Sequence, residues 1–189
     1  MPERLLSAAC VHNACVIIQL VERDKALPFI CDDQLGKLAR WLRIIGQDVY
    51  YQNRIANEEL ISIAERESRL VLTRDLRLSK TLAQKSLPHY IVMENYPAHQ
   101  LKEVVALFQD RIKIRVFSRC ADCNVALEPA SKESVADQVP PFVFRTQSQF
   151  RRCPQCGRIF WAGTHRGKVD AQLKSILGDL YNMLREEVW

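Results

Sequence analysis

The chain has 189 residues, which is enough for one mid-sized domain with a small appendage but not for two full-sized domains. Hydrophobic residues make up 48% and charged residues 26%, and only 6 glycines and 8 prolines are present, which argues against a long disordered stretch. A net charge of +5 is compatible with a polyanionic partner without requiring one. No apolar run approaches the roughly 20 residues that cross a bilayer, so we expect a cytoplasmic protein without a membrane partner.

The N-terminal half alternates short apolar runs with helical patterns. Residues 1–26 give no clear period and form an N-terminal extension of unclear role. From Leu27 onward we predict strands at 27–31, 48–51, 69–73 and 89–93, each followed by a helix. The helix after the third strand is short and polar, the other three have an apolar face, and Asn57 is the expected N-cap of the second. Short linkers and this alternation predict an α/β domain over 27–112, with a parallel sheet covered by helices on both faces.

The C-terminal part changes character. Residues 111–116 alternate basic and apolar side chains and are typical of a strand with one basic face. Residues 113–168 hold four of the cysteines in a small separate module. Residues 169–189 predict an amphipathic C-terminal helix whose apolar stripe needs a surface to bury against.

Four of the seven cysteines form two C-x-x-C pairs, Cys120 with Cys123 and Cys153 with Cys156. Each such turn presents two thiolates to one ion, and two turns complete a closed tetrahedron, so the spacing predicts a structural zinc site. The alternative is a pair of redox dithiols or unrelated thiols. Four thiolates leave no open position, and nearby His165 is then not needed as a ligand. Metal binding should supply much of the folding free energy of so small a module.

Acidic side chains follow the predicted strands. Asp32 and Asp33 come after the first strand, Glu58 lies near the start of the helix after the second, and Asp75 follows the third. Because the carboxyl ends of parallel strands meet at one edge of a sheet, these oxygens should converge there and could hold Mg²⁺ or Mn²⁺. The alternative is that Asp32 or Asp33 and Asp75 merely cap the next helices. Asp48 starts a strand at the opposite edge and is interpreted as structural.

Basic residues surround both regions. Those that we predict to contact RNA phosphates are Lys37, Arg40, Arg43, Arg74, Arg151 and Arg152. Aromatic residues, among them Phe160 and Trp161, are interleaved with arginines in the cysteine module, where they could stack on unpaired bases. The alternatives are a solvated charged face and aromatic side chains that fill a small core.

Several of these segments resemble the Mut-7-C RNase domain family. The similar segments run from Asp32 to Asp48, from Leu72 to Asp75, from Arg119 to Asn124 and from Cys153 to His165, and the resemblance covers roughly residues 28–168. It implies a PIN-like, Rossmann-type α/β domain followed by a zinc ribbon, and a metal-dependent ribonuclease whose ion is held by acids matching Asp32, Asp33 and Asp75. One position departs from the pattern: Asn57 stands where relatives tend to carry an acid, and it is followed by Glu58 and Glu59.

The sequence thus yields a hypothesis: an endoribonuclease dependent on Mg²⁺ or Mn²⁺ that acts on single-stranded or structured RNA. Asp32, Asp33, Asp75 and Glu58 are its candidate catalytic residues, and the zinc ribbon extends the RNA-binding surface. One alternative is a non-catalytic protein that binds RNA or ribosomes, which Asn57 keeps open. Another is a protein–protein adaptor that uses the ribbon and the C-terminal helix.

Overall fold

A computed structural model describes residues 27–188. The N-terminal extension of residues 1–26 lies outside the described residues, as do Trp189 and the side chains of Thr164 and His165. Among residues 27–188, no helix is both long enough and apolar enough to cross a membrane.

A four-stranded parallel sheet forms the first part of the molecule, as the sequence predicts. Its strands run in the order β2-β1-β3-β4 and are β1 (Phe29–Cys31), β2 (Val49–Tyr50), β3 (Leu70–Thr73) and β4 (His89–Ile91). All three strand pairs are parallel, and Cys31 pairs in register with Leu72. The residues that follow β1 and β3 therefore lie side by side at the carboxyl edge of the sheet.

Helices cover both faces of this sheet. They are α1 (Gly36–Ile44), α2 (Asn57–Glu67), α3 (Leu76–Gln84) and α4 (Pro97–Leu107). Phe29 and Leu72 face a core shared with α1 and α4, whereas Ile30 and Val71 face a second core shared with α2 and α3. Alternate strand residues thus point into two separate apolar layers, which is why the strands read as continuous apolar runs.

A smaller antiparallel sheet follows. Its strands are β5 (Glu128–Ala130), β6 (Phe150–Arg152) and β7 (Ile159–Trp161), in that order, with the short helix α5 (Pro141–Thr146) between β5 and β6. A 3-10 turn at Glu133–Val135 places the buried Val135 beside Phe150 in a small core of its own.

The C-terminal segment forms two helices instead of one. They are α6 (Thr164–Leu177) and α7 (Asp179–Leu184), and Gly178 separates them with φ 58° and ψ −130°, a conformation that favours glycine. Val169, Leu173 and Leu177 of α6 are buried in the same core as α4. The apolar stripe predicted from the sequence therefore finds its surface on the α/β domain.

Two local expectations are wrong. Residues 111–116 do not form a strand of a sheet: Ile112, Ile114 and Val116 are buried in alternation, but the segment makes one isolated bridge, between Ile114 and Arg185. The alternation is real because the segment runs extended over the core, yet no strand within residues 27–188 pairs with it. Asn57 is the first residue of α2 and not its N-cap, which is Ala56.

Candidate active site and metal centre

The four paired cysteines converge at the end of the small sheet nearest the α/β domain. Their sulfur atoms all lie within 4.8 Å of one another, and Cys120 Sγ is 4.0 Å from Cys156 Sγ. Each pair sits in a turn closed by a backbone hydrogen bond, from Asn124 N–H to the Cys120 carbonyl and from Gly157 N–H to the Cys153 carbonyl, both 2.9 Å. Asn124 and Gly157 both have positive φ, 61° and 72°, which these two residue types tolerate best.

This group fits a tetrahedral ion. A zinc ion with four Zn–S bonds of about 2.3 Å sets its sulfurs about 3.8 Å apart, close to the spacing observed between Cys120 and Cys156. All four cysteines are free thiols, so neither C-x-x-C pair forms a disulfide. The four cysteines could therefore bind a zinc ion, and with four sulfur ligands that ion would be structural.

The first cysteine turn is attached to the α/β domain by Arg43. This side chain is only 8% exposed, and its guanidinium donates to the carbonyls of Ala121 at 3.2 Å, Asp122 at 3.0 Å and Val49 at 2.9 Å. The burial of Arg43 and its three bonds to backbone carbonyls argue against the predicted contact with RNA phosphates. Asn124 adds a second link, accepting from Val49 N–H at 3.0 Å and donating to Asp48 Oδ1 at 2.8 Å.

Asp32 lies at the carboxyl end of β1 and is 5% exposed. Its Oδ1 accepts from Gln34 N–H at 3.0 Å, and its Oδ2 accepts from Arg74 N–H at 3.1 Å and from the Thr73 hydroxyl. Burial raises the pKa of Asp32, although these hydrogen bonds work in the opposite direction. Within the described part of the chain, no lysine, arginine or histidine forms an ion pair with this carboxylate.

Asp75 lies beside Asp32, one strand over. It is the N-cap of α3, with Oδ1 accepting from Arg77 N–H at 2.7 Å and Leu78 N–H at 3.3 Å. The Thr73 hydroxyl links the two acids, because it donates to Asp32 and accepts from Asp75 N–H at 2.9 Å. Both acids thus have the capping role of the alternative interpretation, while Oδ2 of Asp75 remains outside these capping bonds.

The other two acids are exposed at the same edge. Asp33 follows Asp32 directly, and Glu58 lies in the first turn of α2 beside Asn57. No three of the four acids bring their oxygen atoms within 4.8 Å, since within residues 27–188 only the cysteines form such a group. The sheet places the acids on one edge, as expected, but the side chains do not close into a ready-made cluster.

Comparison with known families decides the family of this chain. The model of the Mut7-C RNAse domain matches residues 27–173, well over half of the sequence. The chain belongs to the Mut7-C RNAse domain family. Neither the curated proteins nor the solved structures give a match. The family points to ribonuclease activity and to RNA as the substrate.

The remaining basic residues of this Mut7-C chain have different surroundings. Lys37 is exposed on α1, Arg40 is exposed and pairs with Asp122, and Arg74 donates to Asn95 Oδ1 at 2.5 Å. Arg151 donates to the Val188 carbonyl at 2.6 Å, and Arg152 donates to the Ser134 carbonyl at 2.9 Å. These last two are half-buried and hold the ribbon together, which suits them less to phosphate contact than Lys37 and Arg40.

Three residues at the acidic edge were missed by sequence reasoning. Thr73 links Asp32 to Asp75, as described. Tyr51 follows β2, and its hydroxyl donates to the Asp33 carbonyl at 3.2 Å. The Tyr51 side chain also lies against Gly36, because a Cβ added to Gly36 would be only 2.5 Å from the Tyr51 hydroxyl oxygen. Tyr96, after β4, is 69% exposed. The signal available in the sequence was position: each stands at or just beyond the carboxyl end of a predicted parallel strand.

Proposed function

We propose that the protein is a divalent-metal-dependent endoribonuclease whose reaction takes place at the carboxyl edge of the parallel sheet. The observation that carries the proposal is the buried carboxylate of Asp32, which has hydrogen bonds but no basic partner in the part of the chain that the structure describes. A buried anion without a counter-charge is costly, and such groups concentrate at functional sites. A cation bound beside it would remove that cost.

The oxygen atoms at this edge suit Mg²⁺ or Mn²⁺. A carboxylate has about four lone-pair sites, and Asp32 uses three of them, which leaves one for a metal. Asp75 keeps Oδ2, and Asp33 is exposed. Hard cations of this kind take a few carboxylate oxygens and keep several waters, which fits acids that lie near one another without touching. Glu58 would join through water from the start of α2.

The chain's own residues would divide the work as follows. The hydrogen bonds to Asp32 fix its carboxylate before substrate arrives, so no reorganisation is needed during the reaction. Asp33 and Asp75 orient the attacking water, and Lys37 with Arg74 bind the phosphates on either side of the scissile bond. A bound divalent ion supplies activation of that water and stabilisation of the charge that develops on the phosphate.

RNA cleavage tests the proposal. The zinc-loaded protein is incubated with a labelled mixed RNA pool in metal-free buffer, and Mn²⁺ or Mg²⁺ is then added back, because a chelator would also remove the structural zinc. Cleavage should require the added ion and should fall by about 100-fold or more in Asp32→Asn and Asp75→Asn, the scale seen when a charge stabiliser is lost. The matched control is Asp48→Asn, an acid at the opposite edge of the sheet, which should retain activity.

A non-catalytic RNA-binding protein is the second candidate, favoured by the capping roles of Asp32 and Asp75 and by Asn57 at the start of α2. It predicts no metal-dependent cleavage by the wild type and unchanged RNA affinity in both variants. The adaptor alternative loses its basis in the C-terminal helix, because Val169, Leu173 and Leu177 are already buried in the core. Free thiols at a metal site suit a reducing compartment, and we place the protein in the cytoplasm on that ground.

A further inference from the structure

A cleft lies between α1 and the hairpin of β6 and β7, whose turn carries Cys153 and Cys156. Five of the residues that line it carry the argument and define it as the ribbon cleft: Arg40, Ile44, Phe117, Arg158 and Phe160. Its volume is about 240 Å³. That is below the roughly 300–1,000 Å³ of sites for drug-sized ligands, so the cleft suits a single ring system and not a longer segment.

The floor of the ribbon cleft is aromatic. Phe117 and Phe160 pack with their ring centroids 6.2 Å apart, and Phe160 is only partly buried. Trp161, the next residue of β7, packs beside Val135 and Phe150 on the other face of the small sheet, because side chains alternate along a strand. The ring that faces α1 is therefore that of Phe160. A partly exposed ring beside a cleft offers stacking surface for an unpaired base.

The rim of the cleft carries excess positive charge. Arg40 and Arg158 both pair with the same carboxylate, Asp122, so two guanidinium groups share one anion. Their side chains remain 59% and 55% exposed, which leaves donors available to a further anion. Although burial raises the pKa of Asp122, hydrogen bonds from the two arginines bring it below its ordinary value. Arg166 also lines the cleft and lies 3.9 Å from Asp170.

Helix α1 connects the cleft to the acidic edge. Lys37, Arg40 and Ile44 are spaced by three and four residues and so lie along one stripe of the helix. Arg40 lies seven positions after Asp33, which corresponds to about 10 Å along a helix axis. An RNA strand that leaves the acids can therefore pass the exposed Lys37 and reach the cleft within a short distance.

We propose that the ribbon cleft binds one unpaired nucleotide of the RNA substrate, its base against Phe160 and its phosphate on Arg40 and Arg158. The inference rests on the proposed function for its ligand class, RNA. It makes the enzyme selective for single-stranded RNA near the cleaved bond, because a base held in a duplex cannot reach aromatic rings in a cleft of this size.

The charge contribution is tested by binding in buffer without added Mg²⁺ or Mn²⁺. Fluorescence anisotropy measures the affinity of a labelled, unstructured eight-nucleotide RNA for the zinc-loaded full chain. The double variant Arg40→Ala with Arg158→Ala should bind at least about 10-fold more weakly, and the slope of log affinity against log salt should fall by about 0.7, the value for one phosphate of a single strand. The matched control removes two exposed arginines elsewhere, Arg66 and Arg145, and should change affinity by no more than about 2-fold.

The stacking contribution is tested by removing the aromatic ring without changing charge. Phe160→Leu removes the ring that faces the cleft, whereas Phe142→Leu, the control, removes an exposed ring on α5. Phe160→Leu should weaken RNA binding by about 5-fold or more, the low end for one stacked base. It should leave the binding of inorganic polyphosphate unchanged. Thermal melting of both variants establishes that they are folded, and the arginine pair decides the matter if Phe160→Leu is not.

The inference is overturned if wild type does not bind the strand, if the two double arginine variants bind equally, or if folded Phe160→Leu binds RNA as Phe142→Leu does. Its failure differs from that of the nuclease proposal. A wild type that binds RNA through the cleft but never cleaves it removes the nuclease and supports the cleft. A wild type that cleaves, with cleft variants indistinguishable from their controls, removes the cleft alone.

Discussion

The cysteine group and the acidic edge of the parallel sheet differ in how closely the fold brings their side chains together. At the cysteine site, four sulfur atoms lie within 4.8 Å of one another. At the acidic edge, Asp32 and Asp75 accept hydrogen bonds from backbone N–H groups, and Asp33 and Glu58 extend into solvent. One site is complete before any ion arrives, whereas the other is assembled only in part.

The difference follows from the chemistry of the two ligand types. A thiol makes weak hydrogen bonds and has little competing work in a turn, so the C-x-x-C turn alone fixes its position. A carboxylate after a parallel strand stands where the next helix begins, and the free N–H groups of that helix attract it. Capping and metal binding therefore use the same position on the sheet, and capping does not argue against a metal.

The largest effect expected from this contrast is the loss of one cysteine ligand. Cys153→Ser should abolish stoichiometric zinc binding and lower the melting temperature by about 10 °C or more. Zinc binding contributes several kcal/mol to the free energy of folding, and each kcal/mol lost lowers the melting temperature by about 2–4 °C at this chain length. Zinc content by mass spectrometry and thermal melting by circular dichroism measure both. Cys31→Ala, which removes a buried thiol outside the group, should keep one zinc per chain; equal zinc content in the two variants would contradict a four-cysteine site.

The next effect concerns Arg43, which joins the two regions. Arg43→Met removes the donors to three carbonyls that stay buried, so we expect a loss of about 3 kcal/mol in the free energy of unfolding. The salt dependence of RNA binding should not change. Lys37→Met should do the reverse, with stability within about 0.5 kcal/mol of wild type and a salt slope lower by about 0.7. Urea unfolding and anisotropy titrations separate the two, and a stable Arg43→Met protein with weakened, less salt-dependent binding would restore the phosphate role.

The sequence predicted well wherever one local pattern determines one local geometry. Paired C-x-x-C turns identified the cysteine group, and apolar runs followed by Asp32 and Asp75 located two neighbouring strands and their shared edge. The α/β class and the family were confirmed because these patterns are strong and independent of tertiary detail.

It failed where the partner is remote in sequence. Lys37, Arg40 and Arg43 are spaced by three, but each step of three falls about 60° short of a full turn, so Arg43 lies about 120° from Lys37 and faces inward. Its partners are Ala121 and Asp122, some 80 residues away. The alternation at 111–116 likewise indicates which side chains are buried. It carries no information on strand pairing, and within residues 27–188 no strand pairs with this segment. No local rule foresees either outcome.

The smallest effect contrasts the two edges of the sheet through Asp48, at the amino edge. Its carboxylate accepts from Arg69 and from Asn124, each at 2.8 Å, and although burial raises its pKa, these bonds hold the pKa below the ordinary value. A depressed pKa stabilises the folded state above the unfolded pKa of about 4, and the contribution is lost only as the pH falls through the lower folded value. Because the side chain is 36% exposed, solvent screening limits the loss in Asp48→Asn to about 1 kcal/mol.

Urea unfolding of wild type and Asp48→Asn between pH 5 and pH 8 measures that loss, in a range that avoids acid release of the metal. The difference should be constant across the range, since both the folded and the unfolded carboxyl groups stay ionised there. Asp33→Asn, at the carboxyl edge and exposed, should leave stability unchanged. A difference for Asp48 that shrinks between pH 7 and pH 5 would mean that its pKa is not depressed. Burial raises the pKa of Asp32 instead, so the ionisation of Asp32 opposes folding, whereas that of Asp48 favours it.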